Sequence, residues 1–160
     1  MTTPADDTAV LLARLLDDEA RLRFDRFTND DALALGLALV DAARSEGAGV
    51  TIDVRRGAQQ LFHVALEGTS ADNDQWVIRK ARVVERFGHS SYYMGRSVAA
   101  FGRTLAEAYL VDEREFGAFG GAFPIIVRDV GPVGVVTVSG LAQGDDHRLV
   151  VETLARVLGA

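Results

Sequence analysis

The first apolar residues of the chain recur at the spacing of one helix face between residues 8 and 22. Asp6 or Thr8 can cap this segment, so we predict an N-terminal helix over about residues 6–22 and a short strand over 22–27. Thr28 and the carboxylates that follow it predict the start of a second helix, which ends at Glu46-Gly47.

Two pairs of strand-like segments predict two hairpins. Residues 50–54 and 60–66 flank a turn at 55–58, and residues 125–130 and 133–139 flank a turn at Gly131-Pro132. Together with the strand over 22–27 they predict a five-stranded, mainly antiparallel sheet. Further helices are predicted over 72–87, after Ser90 or Ser91, and from Gly144 to the end of the chain.

This order of elements predicts an α/β (α+β) protein. With 160 residues and no linker, we expect one domain over residues 1–160, composed of an N-terminal helix at about 6–22 and a core at about 23–160.

Composition excludes several classes of function. A net charge of −6 disfavours binding to nucleic acid or to anionic membranes, and no run of about 18 apolar residues predicts a membrane span. The absence of cysteine excludes disulfides, thiol catalysis and thiolate metal sites. Acidic residues precede the first apolar stretch, the reverse of a secretion signal, so we expect a cytoplasmic protein.

Common catalytic and nucleotide-binding motifs are missing from the sequence. There is no phosphate-binding G-x-x-x-x-G-K-[ST] loop, no G-x-G-x-x-G after a strand, no G-x-S-x-G elbow and no H-E-x-x-H zinc motif. The sequence therefore indicates no catalytic residue.

Two stretches, taken in order, resemble the haem-degrading HbpS-like family, also called GlcG-like. The first runs from Trp76 to Phe87, contains the pair Lys80-Ala81, and is followed by Gly88-His89-Ser90-Ser91. The second is Gly120-Gly121-Ala122-Phe123-Pro124-Ile125, followed by a strand that ends in Val138-Ser139-Gly140.

The chain is most similar to the uncharacterised branch of that family, through Asn73-Asp74-Gln75-Trp76 and Asp145-Asp146-His147. The resemblance implies a profilin-like α/β sandwich that forms homo-oligomers. It also implies haem as a candidate cofactor, since some members bind haem or degrade it slowly.

Lys80 is the only lysine, and it shares a helix stripe with Trp76, Val83 and Phe87. We expect this stripe to draw Lys80 away from open solvent. Its stem could be buried with the ammonium in water, or the ammonium could pair with an internal carboxylate or bind an anionic ligand.

His89 could bind a haem iron, act as an acid or base, or cap the helix that ends at Gly88. The glycine-rich segment 117–124 could wall a pocket, or it could cross the sheet and pack its aromatic rings into the core. The candidate ligand-binding residues are Trp76, Lys80, His89, Gly120, Gly121 and Phe123.

The remaining two histidines and the carboxylates beside one of them are further polar candidates. Asp145, Asp146 and His147 are candidate metal ligands, although neighbouring residues of a helix point about 100° apart and converge poorly. His63 alternates with Phe62 and Val64 in a predicted strand, which favours a solvent or interface position.

These observations favour a small-molecule-binding homo-oligomer of the HbpS-like type with haem as a candidate ligand. Any reaction would be turnover of haem or another cofactor. Self-association is also predicted by the wide apolar surface of the first helix, which carries Val10, Leu11, Leu12, Leu15 and Leu16. The alternative is a non-enzymatic scaffold or interaction protein that assembles through the same surface.

Overall fold

The computed structural model describes residues 4–160, with the backbone alone described at Pro4. Its elements follow the predicted order, with one additional short helix. They are α1 (Pro4–Arg21), β1 (Arg23–Phe24), α2 (Asn29–Ser45), β2 (Thr51–Arg56), β3 (Gln59–Ala65), α3 (Ala71–Phe87), α4 (Ser91–Ala99), α5 (Leu105–Tyr109), β4 (Ala122–Val127), β5 (Gly131–Ser139) and α6 (Gln143–Leu158).

The five strands of residues 4–160 form one open sheet in the order β1-β4-β5-β2-β3. β1 runs parallel to β4, and the other three pairings are antiparallel. The two hairpins join in the middle of the sheet through β2 and β5. This confirms the predicted α/β class and the five-stranded, mainly antiparallel sheet with flanking helices.

Strand alternation gives the sheet two packed faces. On one face Phe123 and Val136 join the main core formed with α2 and α6. On the other face Ala122 and Val135 pack beneath α3. The sheet is therefore covered on both sides, and neighbouring residues of one strand contribute to different layers.

The second hairpin differs from the prediction in the position of its turn. The turn lies at 128–130, where Asp129 has a left-handed conformation (φ 60°), and Pro132 lies inside β5. Pro132 is tolerated there because β5 extends beyond the end of β2, so this part of the strand has only β4 as a neighbour.

The bounds of two short elements also differ from the prediction. β1 contains two residues, Arg23–Phe24, where a strand over 22–27 was expected. Helix α5 was not predicted, because five residues are too few to show a helical period. Its start is nevertheless encoded locally, since Thr104 and Glu107 form a capping box.

No helix within residues 4–160 is both long enough and apolar enough to cross a lipid bilayer.

His147 of α6 is a polar residue enclosed in the packed interior. Its side chain contacts the rings of Tyr92 and Phe123, and neither ring nitrogen has a hydrogen-bond partner among the described residues. Burial lowers the pKa of His147 to about 4; Asp18 of α1 opposes this shift and Arg14 adds to it. The imidazole is therefore neutral at pH 7.

This burial predicts a pH dependence of stability. Between pH 6.5 and about 4 the unfolded chain binds a proton at His147 and the folded chain does not. The free energy of unfolding therefore keeps the full contribution of this burial above pH 6.5 and decreases as the pH falls towards 4. We expect His147→Leu to remove up to about 3 kcal/mol of this decline. Urea unfolding at pH 7 and at pH 4.5 measures it.

Leu33→Gln, which changes an exposed residue of α2 and removes no titratable group, is the control and should keep the decline of the parent protein. Equal pH dependence in the parent and in His147→Leu would contradict the prediction.

Candidate functional site

Helix α3 brings Trp76 and Lys80 to one cleft, here called the Trp76 cleft. Helix α3 begins after Ser70, whose backbone N–H donates a hydrogen bond to the Asn73 Oδ1 at 2.9 Å. The cleft has a volume of about 440 Å³, and its wall includes Trp76, Lys80, Phe119, Ser139, Gln143 and Asp146. Two of the predicted ligand-binding residues therefore lie together, in contact with the start of α6.

Lys80 is buried at the base of this cleft, with 4% of its surface exposed. Its Nζ lies 3.0 Å from the Asp146 Oδ2 and donates to the carbonyl oxygen of Val138 at 3.2 Å. The expected inward position is confirmed, and of the three alternatives for Lys80 the structure shows pairing with an internal carboxylate.

The electrostatics of this pair follow from its burial. Burial lowers the pKa of Lys80 and raises the pKa of Asp146, and the opposite charge of the partner limits both shifts. Asp146 also accepts hydrogen bonds from the backbone N–H groups of Leu141 at 2.9 Å and Gly140 at 3.3 Å. The pair thus joins α3, the end of β5 and α6 at one point.

Gly120 and Gly121 allow close backbone packing around the ion pair. Gly121 has φ 134°, and a Cβ there would lie 2.9 Å from the Lys80 Nζ and collide with the Val138 carbonyl oxygen. At Gly120 a Cβ would collide with the carbonyl oxygen of Gln143. These close approaches are to the protein itself, which accounts for both glycines without a ligand.

Phe123 does not belong to the Trp76 cleft. It is fully buried and packs in the main core on the side of α2 and α6. Its neighbour Ala122 faces α3, and strand alternation turns Phe123 to the opposite face. Phe123 is therefore a core residue in this structure and lines neither this cleft nor the depression at His89.

His89 lies in a separate depression of about 650 Å³, here called the His89 depression. The Nδ1 of His89 is 2.7 Å from the Glu19 Oε2, and the other oxygen of this buried carboxylate accepts the Ser90 N–H at 2.8 Å. Because a carboxylate only accepts hydrogen bonds, Nδ1 carries the hydrogen and Nε2 keeps its lone pair in the neutral ring. The structure does not bring His89 into one pocket with Trp76 and Lys80, although Phe87 at the end of the same helix lines the His89 depression.

The three candidate metal ligands at the start of α6 face different surroundings. Asp145 is exposed near Arg148, Asp146 pairs with Lys80, and His147 is buried beside Tyr92. Over residues 4–160 there is no group of three or more histidine, aspartate or glutamate side chains placed to hold a metal ion. Their divergence follows from the rotation of about 100° per residue along a helix.

The partners of Lys80 and His89 were not identified from the sequence. The sequence indicated Asp146 only as a metal ligand, and it left a carboxylate as one of three alternatives for an inward Lys80. Glu19 lies on α1, 70 positions from His89, so no local pattern relates the two. The hydroxyl of Ser91 donates to Phe119 O at 2.6 Å and accepts Ala122 N–H at 3.0 Å, which fastens the glycine-rich segment to α4.

Removing Lys80 should be strongly destabilising. We expect Lys80→Met to lower the free energy of unfolding by about 3–5 kcal/mol, because it leaves the Asp146 carboxylate buried without its cation. Adding Asp146→Asn should recover part of that loss, because the remaining buried group is then neutral. Urea unfolding at neutral pH measures both effects.

The control for Lys80 is Arg82→Gln, a change of a partly exposed residue on the same helix. A loss below about 0.5 kcal/mol for Lys80→Met, the range of an ordinary surface change, would contradict a structural role for the pair.

Comparison with known proteins identifies the family. A family model for haem-degrading proteins of the HbpS-like type matches residues 27–155. A UPF0303 protein of Streptomyces coelicolor is 54% identical over 152 residues, which cover 95% of this chain and 96% of that protein.

Two solved structures show how far the likeness extends. The crystal structure of the Ybr137w protein superposes with a TM-score of 0.87 at 35% sequence identity. The matched region covers 92% of this chain and 87% of the Ybr137w chain. A PduOC:haem complex superposes with a TM-score of 0.67 at 17% identity, covering 82% of this chain and 94% of its own, and shares the fold alone. Because the family model spans most of the chain and the Streptomyces relative matches nearly all of it, the chain belongs to the HbpS-like family.

Proposed function

We propose that this protein binds a small molecule, and that haem is the ligand of the His89 depression. The observation that carries the proposal is the Glu19–His89 hydrogen bond of 2.7 Å, which in the neutral imidazole places the hydrogen on Nδ1 and the lone pair on Nε2. Histidines that ligate metals usually donate their other ring N–H to a carboxylate or carbonyl, which sets the tautomer and raises the basicity of the ligand. Glu19 is a carboxylate partner of this kind for His89.

The walls of the depression have the chemistry that haem requires. The rings of Phe87, Tyr93, Phe101 and Tyr109 line it, and Arg103 lies at the same depression. Aromatic rings suit a flat apolar macrocycle, and a guanidinium suits its carboxylate side chains. The volume lies within the usual range for small-molecule sites, about 300–1,000 Å³.

Each residue has a distinct part in this proposal. His89 would hold the haem iron, Glu19 would orient His89, and Arg103 would bind a haem carboxylate. Bound haem would supply iron for binding or activating oxygen. The match to the HbpS-like family and the PduOC:haem complex support the choice of haem over other flat anions.

A haemin titration tests the proposal. We expect the parent protein to shift the Soret band saturably, and His89→Ala to weaken binding at least tenfold and alter the bound spectrum. Glu19→Gln should weaken binding by about 10-fold, as is typical when the partner of a ligating histidine is changed.

His63→Gln is the matched control, because it changes an exposed histidine on the edge strand β3 and should leave the titration unchanged. An identical Soret shift in the parent and in His89→Ala would remove His89 as the ligand. No Soret shift in the parent would exclude haem.

We also propose that the protein forms a homo-oligomer through α1. On this helix Leu15 is fully buried, whereas Val10 is 68% exposed and Leu16 is 39% exposed. Leu11 and Leu12 are half-buried between them. Val10 and Leu16 therefore extend the apolar surface of α1 beyond the stripe that packs on the domain, and exposed apolar surface of this kind commonly marks an interface.

The oligomeric state is directly measurable. Light scattering should give a multiple of the 17.2 kDa chain mass at micromolar concentration, and Val10→Glu with Leu16→Glu should reduce that multiple. Leu33→Glu with Leu37→Glu, a similarly exposed pair on α2, is the control and should not. A monomeric parent, or dissociation by the α2 pair alone, would contradict an interface at α1.

An interaction protein without enzymatic activity remains the second candidate, and one observation favours it. Phe101 is 84% exposed and Leu110 is 91% exposed beside the His89 depression, and Leu110 has the left-handed φ of 56°. An exposed leucine in that conformation costs about 1–3 kcal/mol unless its surroundings compensate. The haemin titration separates the two candidates, since a scaffold has no need of His89 Nε2.

A further inference from the structure

A further cavity borders α4 on the side away from the His89 depression, and of the residues named in the haem proposal only Arg103 also lines it. We call it the Arg96 pocket; its volume is about 450 Å³. Trp76, Phe116 and Phe119 form its aromatic walls, and α4 and α5 contribute Arg96, Ala99 and Leu105. It shares Trp76, Phe119 and Gln143 with the Trp76 cleft, so it continues from that cleft along the surface of α3.

The charge in this pocket is unbalanced. Arg79, Arg96 and Arg103 line it, and among the lining residues that the structure describes Glu113 is the single carboxylate. Arg79 donates through Nη2 to the backbone oxygen of Glu113 at 2.6 Å, and this contact leaves its positive charge unneutralised. The pocket therefore has excess positive charge, although the whole chain has a net charge of −6.

Two of these cations also have buried donors without acceptors. Within residues 4–160 the Nε atoms of Arg79 and Arg96 are buried and have no hydrogen-bond partner. Nearly all buried polar groups in proteins are satisfied, and a buried donor of a charged group is costly to leave unpaired. The described residues therefore satisfy these two guanidinium groups incompletely, and an anion in the pocket would balance their charge.

The surroundings of the guanidinium groups indicate the shape of the anion. The Arg79 guanidinium lies 4.2 Å above the Trp76 ring, and Trp76 meets Phe119 edge-to-face at 5.4 Å. Flat rings pack well against such surfaces, and a guanidinium fork matches the two oxygens of a carboxylate. The volume is near the lower end of the range for ligand sites, which fits a single small molecule.

We propose that the Arg96 pocket binds a small, flat carboxylate, such as an aromatic acid, with its carboxylate on Arg96 and Arg79 and its ring against Trp76. This site is independent of the proposed haem site. Arg96 and Trp76 do not line the His89 depression, although Arg103 and Val98 border both cavities.

Trp76 provides the readout, because it is the only tryptophan of the chain. The probe is phenylacetate, titrated while Trp76 fluorescence and the heat of binding are recorded. We expect a saturable change with phenylacetate, binding at least tenfold weaker with the neutral phenylacetamide, and no comparable binding of inorganic phosphate. The first comparison isolates the charge, and the second isolates the flat ring.

Two variants assign the binding to this pocket. Arg96→Gln should weaken phenylacetate binding at least tenfold, whereas Arg82→Gln on the outside of α3 should not. Ala99→Leu fills the cavity from α4 without changing any charge and should also weaken binding at least tenfold, so the assignment does not depend on Arg96→Gln folding correctly. Thermal melts of the free proteins establish that each variant is folded.

Several results would overturn the proposal. They are the absence of saturable fluorescence or heat changes with phenylacetate, equal affinity for phenylacetamide or phosphate, and undiminished binding by folded Arg96→Gln or Ala99→Leu. None of them bears on haem, because the haemin titration reads the Soret band and depends on His89.

Discussion

The buried Lys80–Asp146 ion pair is the interaction on which the arrangement of both helical layers depends. The ammonium reaches from α3 to the Val138 carbonyl oxygen of β5 and to the Asp146 carboxylate of α6. Gly121 passes so close to this ammonium that a Cβ would be 2.9 Å from it. A buried ion pair of this kind adds little net stability over an apolar pair, but separating its members leaves a buried charge without a partner, so any rearrangement that moves α3 away from α6 is costly.

Helix α4 separates two recesses of different chemistry on the surface near the Lys80–Asp146 ion pair. On one side Glu19 holds His89 beside an aromatic depression, and on the other side Arg79 and Arg96 face an aromatic pocket with excess positive charge. Ser90 caps the start of α4, and Ser91 binds the glycine-rich segment before β4. The position of α4 therefore sets the width of both recesses at once.

Much of the fold could be predicted because its signals are local. The Thr28 capping box, the left-handed Gly88 at the end of α3 and the strand-like composition of β2 and β5 are each encoded within a few residues. The turn at 128–130 was misplaced because a glycine and a proline at 131–132 are the usual turn residues, and the structure places both in β5 instead. The inward position of Lys80 also followed from one helix stripe.

Periodicity and capping act between residues close in the chain, so they suffice to predict the class of fold, the order of the elements and the inward position of Lys80. The contact of Lys80 with Asp146, the hydrogen bond between His89 and Glu19 and the orientation of Phe123 away from Trp76 arise only in the tertiary structure. The first two pairs are separated by 66 and 70 positions, and the third outcome depends on which sheet face each layer covers. Such contacts arise from the packing of whole elements, which no local pattern specifies.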